Sequence, residues 1–176
     1  MSRRSDLVGS AGLFAAAAEL ARNDWLVSPT FGGAARTDLL AQHTELKLTA
    51  AIQVKTRTGG DFHLPVSDHA PPGANEWVIL VSLGEHGTRP GFDVVPRNHV
   101  CLVVRVLGSI LESQGRAWPR KLIGEQEFER YRERWDLMNA SSEQAPWMQR
   151  QWVFDGLPLY PQPDLSPPTA PAPEGL

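Results

Sequence analysis

Two short segments carry the features on which the fold assignment depends, TDLLAQ at residues 37–42 and TAAIQVKTRT at residues 49–58. In the second segment apolar and polar side chains alternate, which is typical of a β-strand with one buried face. Side chains two apart on a strand point the same way, so Gln53 and Lys55 share the polar face. If the two segments form a hairpin, Asp38 of the first can lie beside Gln53 of the second.

Such a hairpin would bring a carboxylate, an amide carbonyl and an ammonium group together around one point. Mg²⁺ takes oxygen ligands, often only one or two of them from protein carboxylates, and completes its shell with water and phosphate. Asp38 can supply a charged oxygen, Gln53 a neutral one, and the main chain of Val54 another. Lys55 is placed to orient or deprotonate a water, or to stabilise charge developing on a phosphate. These residues therefore predict a site suited to phosphodiester hydrolysis.

The segments on either side of the hairpin indicate an α/β fold. Residues 77–83, WVILVSL, form a near-continuous apolar run, which predicts a strand covered on both faces. Residues 98–107 fit either a helix or a strand, because Asn98 suits a helix cap whereas the valines favour a strand. The other predicted elements are helices at 9–24 and 125–138 and strands at 25–30, 37–42, 49–58, 62–66 and 91–96. This order predicts a mixed β-sheet flanked by helices.

The order of helix, strand, DLLA at 38–41 and IQVKTR at 52–57 resembles the PD-(D/E)XK nuclease superfamily. It looks closest to small proteins of the QxK variant, which are distantly similar to archaeal Holliday junction resolvases. The resemblance covers about residues 9–105 and implies a restriction-endonuclease-like fold. It also implies that Asp38 and Gln53 are metal ligands, that Lys55 is the catalytic lysine, that Mg²⁺ or Mn²⁺ is the cofactor and that DNA is the substrate. Resolvase-like relatives work as dimers, which implies a homodimer.

The chain departs from the superfamily pattern at three positions. Thr37 stands where a proline usually precedes the metal aspartate, and Gln53 replaces an acid, which weakens metal binding. Leu13 occupies the place where relatives often carry a helix glutamate. Glu19 is then a possible accessory ligand or a solvated helix residue, and Arg57 either contacts phosphate or keeps an edge strand soluble. The alternative to a nuclease is therefore a nuclease-derived module that binds DNA or protein without cutting.

Composition limits the function classes further. The net charge is −3 over 176 residues, so the chain lacks the basic balance that marks general nucleic-acid binding. Cys101 is the one cysteine, which excludes an intrachain disulfide and fits a cytoplasmic protein. His63, His69, His86 and His99 have no ligand spacing and are expected at the surface. No glycine-rich phosphate loop or nucleophile motif indicates a small-molecule enzyme of another α/β fold.

The domain organisation follows from a change in composition near the end of the chain. Residues 1–157 have the apolar content of one folded domain, whereas residues 158–176 are dominated by proline, alanine and small polar residues. The second segment is predicted to be a disordered tail. No segment approaches the roughly 20 apolar residues that a membrane-spanning helix needs, so no membrane association is expected.

Overall fold

The computed structural model describes residues 3–30, 37–64, 75–117, 121–123 and 127–139. Its helices and strands are α1 (Arg3–Arg22), β1 (Trp25–Pro29), β2 (Leu39–His43), β3 (Thr49–Arg57), β4 (Phe62–Leu64), β5 (Glu76–Ser82), β6 (Gly91–Pro96), α2 (Arg97–Ser113) and β7 (Lys121–Ile123). Two short 3-10 helices follow, at Glu129–Tyr131 and Trp135–Asn139. The predicted tail at 158–176 lies outside the described residues. No described helix is long and apolar enough to cross a membrane.

Five strands form one mixed sheet in the order β1-β2-β3-β5-β6. Strands β3 and β5 run parallel, and the other neighbours in this sheet are antiparallel. The predicted α/β class, a mixed sheet flanked by helices, is confirmed. The strand predicted at 62–66 is present as β4, which pairs with β7 in a separate two-stranded sheet and does not continue the five-stranded sheet.

The predicted hairpin is present and its register is fixed by burial. Leu39 of β2 is paired with Ile52 of β3, and both side chains are fully buried. The paired residues end at Leu39, and the N–H group of the preceding residue, Asp38, donates to the carbonyl oxygen of Ile52. A slip by one residue would turn every side chain of β2 to the other face of the sheet, so the buried leucine and isoleucine exclude it.

Helix α1 covers the face of the sheet that carries Val54 and Thr56. The contact is so close at Gly12 that a Cβ atom there would overlap the side chain of Thr56. Because side chains alternate along β3, Gln53 and Lys55 point to the opposite face. One face of β3 therefore packs against α1, and the other face carries Gln53 and Lys55 of the predicted site.

Strand β5 lies between β3 and β6 and is covered on both faces, as its apolar run predicts. Its four central residues are at most 1 % exposed: Val78, Ile79, Leu80 and Val81. Residues 98–107, which fit either state in the sequence, belong to α2. Val100, Val103 and Val104 fall on one side of this helix and are buried, so tertiary packing overrides the strand preference of valine.

The helix predicted at 125–138 is wrong: the structure instead has two 3-10 helices, at Glu129–Tyr131 and Trp135–Asn139. Arg132 is extended, with φ −62° and ψ 122°, and forms an isolated β-bridge with Asp93. Glu133 follows with φ 55°, which a continuing helix does not allow. The aromatic residues that suggested the helix, Phe128, Tyr131 and Trp135, are nevertheless buried.

His99 is not at the surface as expected but fully buried within α2. Its Nδ1 atom lies 2.6 Å from the hydroxyl oxygen of Tyr131, which joins α2 to the first 3-10 helix. Burial in apolar surroundings lowers the pKa of His99 to about 3, because the charged imidazolium cannot be solvated there. The neutral ring is thus part of the core.

This burial predicts a pH-dependent stability. Because the pKa of His99 is about 3 in the folded chain and near 6.5 when unfolded, the unfolded state binds more protons between these values. The free energy of unfolding should therefore fall as the pH drops below 6.5, by at most about 1.4 kcal/mol per pH unit for this group. Urea titrations between pH 7 and 4.5 measure the slope. His99→Gln should show a shallower slope, and an unchanged slope would contradict the assignment.

The contact between α1 and β3 predicts opposite effects for two glycines of one helix. Gly12→Ala should lower the free energy of unfolding by about 1–3 kcal/mol, because the new methyl group has no room beside Thr56. A Cβ atom added at Gly9 would meet no atom within 4 Å, so Gly9→Ala should stabilise the protein by about 0.5–1 kcal/mol. Urea titration of both variants tests this, and equal effects would show that α1 packs differently.

Candidate active site

Asp38 is held in place at the start of β2 by three hydrogen bonds. Its N–H group donates to the carbonyl oxygen of Ile52 at 2.8 Å, and its own carbonyl accepts from the N–H group of Thr30 at 3.0 Å. The side-chain oxygen Oδ2 accepts from the N–H group of Val54 at 2.7 Å. The half-buried carboxylate therefore lies against the β2-side edge of β3.

Val54 brings a second oxygen to this edge. In a β-strand the N–H and C=O groups of one residue point toward the same neighbour. Since the N–H group of Val54 donates to Asp38, its carbonyl points to the edge at which the carboxylate lies. One charged and one neutral oxygen are thus offered from adjacent positions, as the sequence predicts for a hard cation.

Gln53 is on the adjoining face and is only 7 % exposed. Its Oε1 atom accepts a hydrogen bond from Nη1 of Arg97 at 3.5 Å. Arg97, the first residue of α2, is 1 % exposed, and its Nε atom lies 3.2 Å from Oε2 of Glu76. The amide oxygen that the sequence assigns to a cation therefore already has a partner.

Lys55 shares the face of Gln53 and is half-buried. On the α1 side, an open groove of about 460 Å³ lies between α1, at Ser5 and Gly9, and the second half of β3, and residue 55 is among the strand residues that border it. Across the sheet, Leu80 of β5 separates Lys55 from Asp93 of β6. Asp93 is 2 % exposed, and burial raises its pKa, although the nearby Arg132 lowers it.

The two accessory candidates are engaged in structural contacts. Arg57 donates from Nε to the hydroxyl of Ser82 at 3.0 Å and lies 4.3 Å from the ring centre of Phe62, so it fastens the end of β3. Glu19 is not a solvated helix residue: it forms an ion pair with Arg89 at 2.8 Å, and its side chain is 14 % exposed. This pair lies on the α1 side of the sheet.

The site therefore contains few charged groups. Among the described residues, no group of three or more His, Cys, Asp or Glu side chains is placed to hold a metal ion. Asp38 supplies the carboxylate at the edge of β3, Val54 a carbonyl, and Lys55 a positive charge on the adjoining face. A cation bound there would need water and substrate oxygens to complete its shell, which is how Mg²⁺ is commonly held.

Two residues of this region were not predicted from the sequence, Arg97 and Glu76. Arg97 follows Pro96 and begins a segment that fits either a helix or a strand, so the sequence does not define where its side chain points. One signal was available: the arginine stands at the start of a run whose next residues are largely apolar. The contact with Gln53 depends on where the tertiary structure places the start of α2.

No family model matches the chain, and no curated protein matches it. Among solved structures, the chain is similar to a bacterial homing endonuclease, I-Ssp6803I, with a TM-score of 0.47 and 16% sequence identity. The match covers 83% of this chain and 96% of the endonuclease chain. A likeness of this extent leaves the function to be inferred from the residues of the site.

Proposed function

We propose that the chain is a nuclease of the PD-(D/E)XK type that hydrolyses phosphodiester bonds in DNA with the help of Mg²⁺ or Mn²⁺. One observation carries the proposal: the carboxylate of Asp38 is bound by the N–H group of Val54 at 2.7 Å. Gln53 and Lys55 flank Val54 on β3, and together with Asp38 they match the D…QxK pattern of the sequence.

The oxygens of Asp38 and Val54 fit a divalent cation that keeps several waters and accepts phosphate oxygens. When bound, such a cation supplies Lewis-acid activation of the phosphate and of an attacking water. Gln53 can add only the second lone pair of its oxygen, because the first accepts from Arg97. Lys55 stabilises the negative charge that develops on the phosphate oxygens, or holds the attacking water.

The second candidate is a nuclease-derived module that binds DNA or a protein partner without cutting. It is favoured by the low charge of the site, because position 53 carries a neutral amide where the superfamily has an acid. In the part of the chain that the structure describes, no group of three or more His, Cys, Asp or Glu side chains could hold a metal ion. The net charge of −3 also fits a protein that binds few phosphates.

Substitution of Lys55 tests the proposed reaction. Lys55→Gln should lower the rate of DNA nicking at least about 100-fold, because a preorganised positive charge is lost from the transition state. The assay uses linear, plasmid and branched DNA with Mg²⁺ or Mn²⁺. Lys47→Gln is the matched control, since Lys47 is exposed in the β2–β3 turn. If Lys55→Gln cuts as well as the wild type, the assignment is wrong.

Calorimetry separates the two candidates without an activity assay. A nuclease should bind Mn²⁺ at millimolar concentration, and Asp38→Asn should abolish the binding. If no cation binds while DNA or a protein partner still does, the second candidate is correct. Cation binding that survives in Asp38→Asn would place the metal elsewhere.

We further propose that two copies of the chain associate through the outer edge of β1. The N–H group of Thr30 donates to Asp38, and that of Thr44 donates to the carbonyl of Asp24, so the main-chain groups of even-numbered residues face β2. Those of Trp25 and Val27 consequently point away from the sheet, and no described strand pairs with them. An antiparallel contact centred on Val27 is self-complementary, and β1 carries no charged side chain to oppose it.

An open apolar surface adjoins this edge. Leu26 of β1 is 69% exposed and Leu40 of β2 is 52% exposed. Both point away from the face under α1, and they border a groove of about 500 Å³ that ends at Glu76. The carboxylate of Glu76 is paired with Arg97, so a second copy would meet little charge here.

Light scattering after size exclusion tests the dimer. The wild-type chain should elute with twice the monomer mass. The double variant Leu26→Lys with Leu40→Lys should elute as a monomer, because association would bury the new charges of both copies near the two-fold axis. Leu7→Lys is the control, since Leu7 is 64% exposed on α1. A wild-type monomer at high protein concentration would contradict the proposal.

A further inference from the structure

Arg97 is the largest fully buried side chain in the described part of the molecule. A buried charge is costly unless it is paired and hydrogen-bonded. Arg97 follows β6, and its guanidinium group contacts Gln53 of β3, so the charge lies next to the candidate site. The nuclease chemistry described above gives it no role.

The contacts of Arg97 determine how the side chain of Gln53 is oriented. A guanidinium group has five N–H donors and no acceptor, so the atom of the amide that faces it must be the oxygen. Oε1 of Gln53 lies 3.5 Å from Nη1 of Arg97, and Oε2 of Glu76 lies 3.2 Å from Nε. The amide is therefore held with its oxygen turned inward.

Charge balance explains why position 53 carries an amide. Arg97 and Glu76 form an ion pair, and Glu76 is the less buried partner, with 32% of its side chain exposed. A glutamate at position 53 would add a second carboxylate beside Arg97. The neutral glutamine accepts from one donor of Arg97 without adding charge, so the departure from the acidic residue of the superfamily has a local cause.

The amide nitrogen of Gln53 lies on the other side of its Cδ atom from the oxygen. Glu76 belongs to β5, on one side of β3, whereas Asp38 precedes β2, on the other side. Within the described residues, the amide of Gln53 makes the hydrogen bond to Arg97 and no other. Its two N–H donors are thus available to a ligand.

We propose that Arg97 is a positioning residue that holds the Gln53 amide with its oxygen inward, so that its N–H groups donate to a phosphate oxygen of the nucleic acid. Gln53 then contributes to binding an anionic substrate, and Asp38 with the Val54 carbonyl binds the cation. The choice of a phosphodiester as ligand rests on the proposed function. The cluster of Arg97, Glu76 and Gln53 does not.

A charge swap tests the cluster through stability alone. Glu76→Gln should lower the melting temperature by about 5 °C, because Arg97 loses its carboxylate. Adding Gln53→Glu should restore most of this loss, since it returns a carboxylate to Arg97. The control pairs Gln53→Glu with Glu85→Gln, in which an exposed glutamate is replaced and no rescue is expected. If Gln53→Glu does not rescue Glu76→Gln, the cluster does not exist.

The same swapped variant tests the orientation of the amide. It should melt near the wild-type temperature yet bind a short DNA duplex at least about fivefold more weakly in EDTA, because a carboxylate at position 53 has no N–H donors and repels phosphate. A purely structural role for Arg97 would leave DNA affinity unchanged once stability is restored. Wild-type DNA affinity in the swapped variant would therefore overturn the proposal.

Cation affinity distinguishes this proposal from a ligand role for Gln53. In calorimetry, Gln53→Leu should change Mn²⁺ affinity less than twofold, whereas Asp38→Asn should lower it at least tenfold. Equal losses in both variants would show that the amide oxygen binds the cation. If the wild type binds no Mn²⁺ at all, the proposed nuclease function fails, and the thermal and DNA-binding measurements still decide the role of Arg97.

Discussion

Leu39 and Ile52 lie directly opposite each other and are both fully buried, and this pair fixes the register of β2 against β3. All features of the candidate site depend on that register. It sets Asp38 beside the edge of β3 beyond the paired residues, where the N–H group of Val54 needs an acceptor. The carboxylate supplies one, so the hydrogen bond that completes the strand edge also orients the proposed metal ligand.

Helices α1 and α2 give the two faces of β3 different environments. On one face the absence of a side chain at Gly12 lets α1 approach until it meets Thr56. On the other face the buried first residue of α2, Arg97, contacts Gln53. The site therefore lies between a closely packed helix and an ionic cluster, and both limit how far its side chains can move.

The low charge of the site has consequences for its chemistry. Where one carboxylate and one carbonyl bind a cation, much of the coordination shell has to come from water and substrate, so the bound cation and bound phosphate depend on each other. An amide that donates to phosphate strengthens the substrate side of this coupling without adding negative charge. A neutral residue at position 53 is then consistent with catalysis and does not by itself indicate a site that has lost its activity.

The sequence by itself determined the β2–β3 hairpin, the buried β5 and the mixed α/β class, because hydrophobic alternation and apolar runs are local signals with a defined period. It also singled out Asp38, Gln53, Val54 and Lys55, which occupy adjacent positions around β3. It could not determine the state of residues 98–107, the breakdown of the helix at 125–138 or the burial of His99, since each depends on packing between distant segments. The sequence could not predict the hydrogen-bond partner of Gln53 for the same reason. Arg97 lies 44 residues away along the chain, and only the packing of α2 against β5 and β6 brings its charge to the amide.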